Sequence, residues 1–192
     1  MKKKRQPLIW MLLCILIFSL ATATSSRVQA QDITIAVDGQ DSGRIFDGVG
    51  ALSGGGGTSR LLIDYPPKQR KQVLDYLFKP NYGASLQILK VEIGSDTDTT
   101  EGAEASSQRT PTDQNYHRGY EWWLMEQAKL RNPHIKLYAL EWGAPGWFHG
   151  GFWSQDNIHY IINWIKHAQS DHHLHIDYIG GWNETPFDYS FL

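Results

Sequence analysis

Hydrophobic positions along the chain alternate between short continuous runs and helical spacing. The first run, residues 8–20, follows a basic start of Lys2, Lys3, Lys4 and Arg5, and Val28-Gln29-Ala30 supplies a small-residue cleavage pattern, with Ala21-Thr22-Ala23 as a second cut. That order is a secretory signal over residues 1–30, and its apolar run is too short for a transmembrane helix. Beyond it, Ile33–Val37 reads as a leading strand and Ile45–Gly50 as a second, running into Gly54-Gly55-Gly56-Gly57. Val73, Leu74, Leu77 and Phe78 share one face of a helix over 67–79, and 86–93 reads as a strand. Tyr120, Trp123 and Leu124 at turn spacing predict a helix over 116–131, stopped by Asn132-Pro133. A strand over 136–141 precedes Ile158, Ile161, Ile162 and Ile165, an amphipathic i, i+3, i+4, i+7 stripe, and the last strand covers 176–183.

The order βαβαβαβ argues for parallel strands joined by crossover helices. The predicted strand ends near Asp47, Ile93, Glu141 and Asn183 are 46, 48 and 42 residues apart. Such spacing suits a (β/α)₈ TIM barrel with long loops better than a doubly wound sheet. A whole barrel takes about 250 residues, so residues 31–192 are expected to form the first four β/α units, half of a barrel, behind the signal at 1–30.

Without residues 1–30 the chain carries 13 basic residues against 20 acidic ones, a net charge of −7. A surface of that sign repels phosphate backbones, which excludes nucleic acid as the favoured partner. The single cysteine, Cys14, lies inside the signal, so the exported part forms no disulfide. Seven of the eight tryptophans lie between Trp122 and Trp182. Trp122, Trp123 and Trp164 are expected to pack helices onto the sheet. Trp142, Trp147 and Trp182 flank the third and fourth strand ends, where flat indole faces suit a sugar ring.

In barrels the reacting groups sit at the carboxyl ends of the strands. The sharpest signal there is Gly181-Trp182-Asn183-Glu184. A glutamate just past a strand end suits the general acid of glycoside hydrolysis, with apolar walls such as Trp182 raising its pKa. The asparagine before it would hold the hydroxyl beside the anomeric carbon. Glu92 and Asp47, also near strand ends, either support the site through hydrogen bonds or orient loops. Gly54–Gly57 lacks the Gly-Lys-Ser/Thr of a phosphate loop and reads as a turn allowing close backbone approach. His172-His173-Leu174-His175 lacks the further ligands of a closed zinc site and reads as a solvated loop. Asn183-Glu184-Thr185 is formally a glycosylation sequon, but a glycan there would block the pocket.

Phe46–Gly56, Leu74–Asn81, Lys90–Gly94, Arg118–Met125, Asp177–Gly180 and Trp182-Asn183-Glu184, in that order, resemble the amino-terminal part of the catalytic domain of glycoside hydrolase family 59. The resemblance implies a retaining TIM-barrel β-galactosidase that removes galactose from galactosylceramide and needs no cofactor or metal. It implies Glu184 as the acid/base and Asn183 as its partner. It also implies Thr100 and Trp142 as galactose contacts, and a lysosomal location in a eukaryote or a secreted or periplasmic one in a bacterium. The family's nucleophile comes from the seventh strand end, which lies beyond Leu192, and so does its galactose-contacting arginine. This chain departs from the family in having Thr185-Pro186 where an arginine is expected and Glu141 where an apolar residue or proline is expected. Glu141 is a poor substitute nucleophile, because carboxylates from adjacent strand ends tend to lie on one side of the sugar. Two other expectations stand beside this reading. One keeps the barrel and the acid but changes the sugar, giving an exo- or endo-glycanase on another β-linked glycan. The other is an inactive sugar-binding half barrel, which would dimerise to cover its open sheet edges or aggregate through them.

Overall fold

Four parallel strands lie side by side in the order in which the chain meets them. The computed structural model describes residues 33–55, 61–97 and 102–181, with 183, 184, 186, 188 and 190. The expected signal, Gly56-Gly57, Thr100 and Trp182 lie outside the described residues. The elements are β1 (Gly50–Ser53), α1 (Leu61–Asp64), α2 (Pro67–Phe78), β2 (Ile88–Ile93), α3 (Glu121–Arg131), β3 (Lys136–Glu141), α4 (Gln155–His172) and β4 (Tyr178–Gly180). Strictly sequential parallel order is barrel order, since doubly wound sheets reverse direction at a switch point.

The chain divides into a unit over residues 1–44 and another over 45–192. In the first, Ile33–Val37 is not a strand, and its side chains are exposed; a turn in which Asp41 N–H donates to Asp38 follows. Alternation of apolar residues is therefore not enough for a strand here. In the second unit, the strand expected at 45–50 sits at 50–53 instead. Asp47 therefore lies ahead of β1 and exposed, away from the strand's carboxyl end.

Alternation sorts the side chains of the sheet into two faces. Leu89, Val91 and Ile93 of β2 with Leu137 and Ala139 of β3 meet Phe78, Met125 and Trp164 from the helices in one buried core. Each such aliphatic side chain contributes about 1.5–3 kcal/mol. The opposite face carries the register row Leu52↔Lys90↔Tyr138↔Tyr178, whose outer members Leu52 and Tyr178 are exposed. Parallel sheets ordinarily bury both faces, and the described sheet is an arc of a barrel seen with its helix-covered side complete.

Two helices start or bury differently from the sequence pattern. α3 begins at Glu121 rather than 116, because Gly119 takes φ 107° and breaks the turn. A Cβ at Gly119 would run into the Glu104 carboxylate, which itself accepts the Tyr120 N–H (2.6 Å) and the Glu121 N–H (3.2 Å) and so caps the helix. The buried stripe of α4 is Asn157, Tyr160, Ile161, Trp164 and Ala168, one residue out of phase with the isoleucines, and Ile162 is exposed. Trp122 stacks on Trp164 at 4.4 Å, while Trp123, half-buried, tilts against Tyr120, so all three pack helices as expected.

The histidine run is not a solvated loop at its first member. His172 is the last residue of α4, its side chain buried between Trp122 (4.5 Å, parallel) and hydrogen-bonding partners on Glu126 and the Tyr116 carbonyl. His173 then takes a left-handed cap, and Leu174 turns into the core.

Candidate active site

Polar chemistry gathers where the strands end. Gly54-Gly55 follow β1, Glu92 is next to last in β2, Glu141-Trp142 close β3, and Asn183-Glu184 lie just past β4. β4 ends at Gly180, earlier than the expected strand, so Asn183 and Glu184 stand on a turn. Asn183 is half-buried. Glu184 is exposed and holds φ 49°, a conformation uncommon for any residue but glycine. Strain of that kind costs on the order of 1–3 kcal/mol and collects at functional sites.

Trp142 is half-buried, one residue beyond β3. The edge of its indole lies so close to Gly54 that a Cβ there would overlap it. The glycine run thus does allow a close approach, to a tryptophan side chain. The indole Nε1 is buried and has no hydrogen-bond partner among the described residues. Trp147 donates its Nε1–H to the Gln108 carbonyl at 2.7 Å, tying the loop after β3 to the loop after β2.

Beneath these residues lie four buried glutamates, Glu92, Glu104, Glu121 and Glu141. Glu92 accepts the Gly55 N–H at 2.5 Å, and Glu121 accepts the Ser53 hydroxyl at 2.8 Å. Burial pushes Glu92 up to about 7, opposed by the Gly55 N–H and helped by the charge of Glu104. Burial, then Glu104, holds Glu121 well above the usual carboxylate range.

Glu141 is paired in register with Ile93 and so faces the helices, away from any sugar. Burial drives its pKa well above the usual range, with Asn157 opposing the shift. The Asn157 amide nitrogen donates to the Phe152 carbonyl, whereas Asn157 Oδ1 and both Glu141 oxygens have no hydrogen-bond partner among the described residues. On the helix-covered face Glu141 does not stand where a nucleophile flanking a sugar bond would.

Two supports gave no sequence signal. The Tyr160 hydroxyl donates to the Gly94 carbonyl, accepts the Ser107 N–H (3.1 Å) and bonds the Ser106 hydroxyl (2.9 Å), locking the loop after β2 onto α4. Glu104 reaches α3 from a loop 16 residues earlier. Only the burial of polar residues, visible in three dimensions, reveals either.

Solved structures share this arrangement of strands and helices. An endo-β1,6-glucanase matches with a TM-score of 0.59 at 21% identity over 77% of this chain and 37% of its own. The catalytic domain of GH30 xylanase C from Talaromyces cellulolyticus matches with a TM-score of 0.53 at 22% identity over 76% and 38%. These likenesses define the fold. The model of glycosyl hydrolase family 59 matches residues 46–192, and the chain belongs to that family. It is 56% identical over 160 residues to galactocerebrosidase of Mus musculus and 54% identical to that of Homo sapiens, in each case over 81% of this chain and 23% of the relative. A putative galactocerebrosidase of Caenorhabditis elegans is 35% identical over 192 residues, 96% of this chain and 27% of the relative. The chain spans about a quarter of the length of these curated relatives.

Proposed function

We propose that this chain supplies the acid/base half of a retaining β-galactosidase acting on galactosylceramide-like lipids. Glu184 protonates the glycosidic oxygen as the bond breaks. After the ceramide leaves, it takes a proton from the water that hydrolyses the galactosyl intermediate. Asn183 holds the 2-hydroxyl, where hydrogen bonding strengthens as positive charge develops at the ring. Trp142 and Thr100 wall the galactose. The nucleophile must stand about 5–5.5 Å from the acid, and Glu92, Glu121 and Glu141 are buried in or below the sheet. The family resemblance puts it on a later strand. The reading includes export through the signal at residues 1–30, to an acidic compartment in a eukaryote.

The single observation that carries the proposal is Asn183-Glu184 on the turn after the fourth parallel strand, with Glu184 exposed and in a left-handed conformation. Identity to proteins named galactocerebrosidase supports the choice of sugar and lipid. The test is hydrolysis by the protein expressed from its full reading frame, offered galactosylceramide in detergent micelles, β1,6-glucan and xylan. Proton NMR of the first-formed sugar should show β-galactose, released from the lipid alone. α-Galactose as the first product would overturn retention, and turnover of a glucan or xylan instead would overturn the substrate.

A further inference from the structure

Among the described residues no partner takes the Trp142 Nε1–H to set the angle of its indole, so its place depends on what it packs against. Gly54 is part of that surface: a Cβ there would overlap the edge of the indole. The next residue, Gly55, at φ 76°, is held by one side chain, the Glu92 carboxylate, reaching across from β2. Register explains the reach. β2 is flanked by β1 through Ser53↔Val91 and by β3 through Glu92↔Leu140. A residue near the end of the middle strand therefore stands between the turn after β1 and the tryptophan after β3.

We propose that Glu92 is a positioning residue for the sugar pocket: through the Gly55 N–H it holds the Gly54-Gly55 turn against Trp142 and so fixes the indole wall. The proposal rests on the reading of Trp142 as a galactose contact. The other Glu92 oxygen is buried and has no partner among the described residues. Charged groups around the carboxylate are mostly acids: Glu104 from the following loop, Glu121 from α3 and Glu141 from β3. Lys90, on the same face of β2, is turned over the Tyr138 ring at 5.1 Å. The tie is therefore strongest when Glu92 is ionised and weakens when it takes up a proton, between pH 8 and 6.

The experiment is ¹⁹F NMR of the full protein carrying 5-fluorotryptophan, with the Trp142 signal assigned by its loss in Trp142→Phe. In the unmutated protein this signal should shift with a midpoint near 7. In Glu92→Gln, which keeps an acceptor oxygen but does not titrate, that midpoint should vanish. In Glu92→Ala the signal should move toward that of free indole, and KM for an aryl β-galactoside should rise several-fold with kcat within about two-fold, the sign of lost ground-state contact. A Trp142 signal that is flat from pH 5 to 8.5 in the unmutated protein overturns the proposal even if no variant folds. So does a midpoint near 7 that survives in Glu92→Gln, or an unmoved signal in folded Glu92→Ala. The NMR needs no turnover, so absence of galactosidase activity would reject the functional reading while leaving the clamp to be judged on its own signal.

Discussion

Glu141 shows how one position changes meaning when its surroundings are known. In the sequence it is a carboxylate at a strand end beside a sugar-binding tryptophan. In the fold it is a buried acid on the helix side of β3, its pKa driven well above the usual carboxylate range by burial. Glu141→Gln preserves shape and removes only the ionisable group, so chemical denaturation at neutral pH should move by less than about 0.5 kcal/mol. Glu141→Ala leaves a cavity in the buried site and should cost about 2–4 kcal/mol. Equal, large losses in both would mean that Glu141 is ionised. At Gly54 the constraint is space: Gly54→Ala forces a Cβ into the Trp142 ring. That variant should weaken galactose binding without changing Glu92, measured as KM against kcat.

At the scale of elements, β2, β3 and α2 were legible because continuous apolar runs and a full helical stripe leave little choice of structure. Asn132-Pro133 likewise marked the end of α3. Misplacements occurred where a distant partner decides. The start of α3 depends on Glu104, 16 residues earlier, and the phase of α4 on Tyr160 and Trp164, which bury more surface than the isoleucines. Strands at the ends of the described sheet, β1 and β4, were misjudged in position or length because pairing on one side alone gives a weaker pattern. Of the site, Asn183-Glu184 and Trp142 were legible as residues at strand ends, but the Glu92–Gly55 tie and the Tyr160 hub join segments 37 and 66 residues apart. Trp164→Ala should cost about 3–5 kcal/mol, whereas Ile162→Ser, at an exposed position, should stay within about 0.5 kcal/mol. The reverse ranking in urea denaturation would restore the isoleucine stripe as the buried face.

For the whole molecule, the buried acids tie stability to pH. Glu92, Glu121 and Glu141 hold protons more tightly folded than unfolded, so stability is greatest below the ordinary glutamate value of 4.5 and falls as pH rises toward 7 and beyond. Asp75, held down by Lys71 and Arg131, and Asp96, held down by Arg109, act oppositely and withdraw stability below about 3.8. The melting temperature should therefore peak in mildly acidic solution and fall by several degrees toward pH 8, at about 2–4 °C per kcal/mol. A profile that is level or rising to pH 8 would show these acids to be ionised and paired. The central claim concerns Glu184, and its most direct test is Glu184→Gln in the full protein on two β-galactosides. With galactosylceramide, whose leaving oxygen needs a proton, the rate should fall by about 10²–10⁴-fold. With a dinitrophenyl galactoside, whose leaving group does not, the galactosyl intermediate should still form, and added azide should restore turnover by giving β-galactosyl azide, since azide needs no base. Equal loss on both substrates with no effect of azide, or no loss on either, would contradict the account.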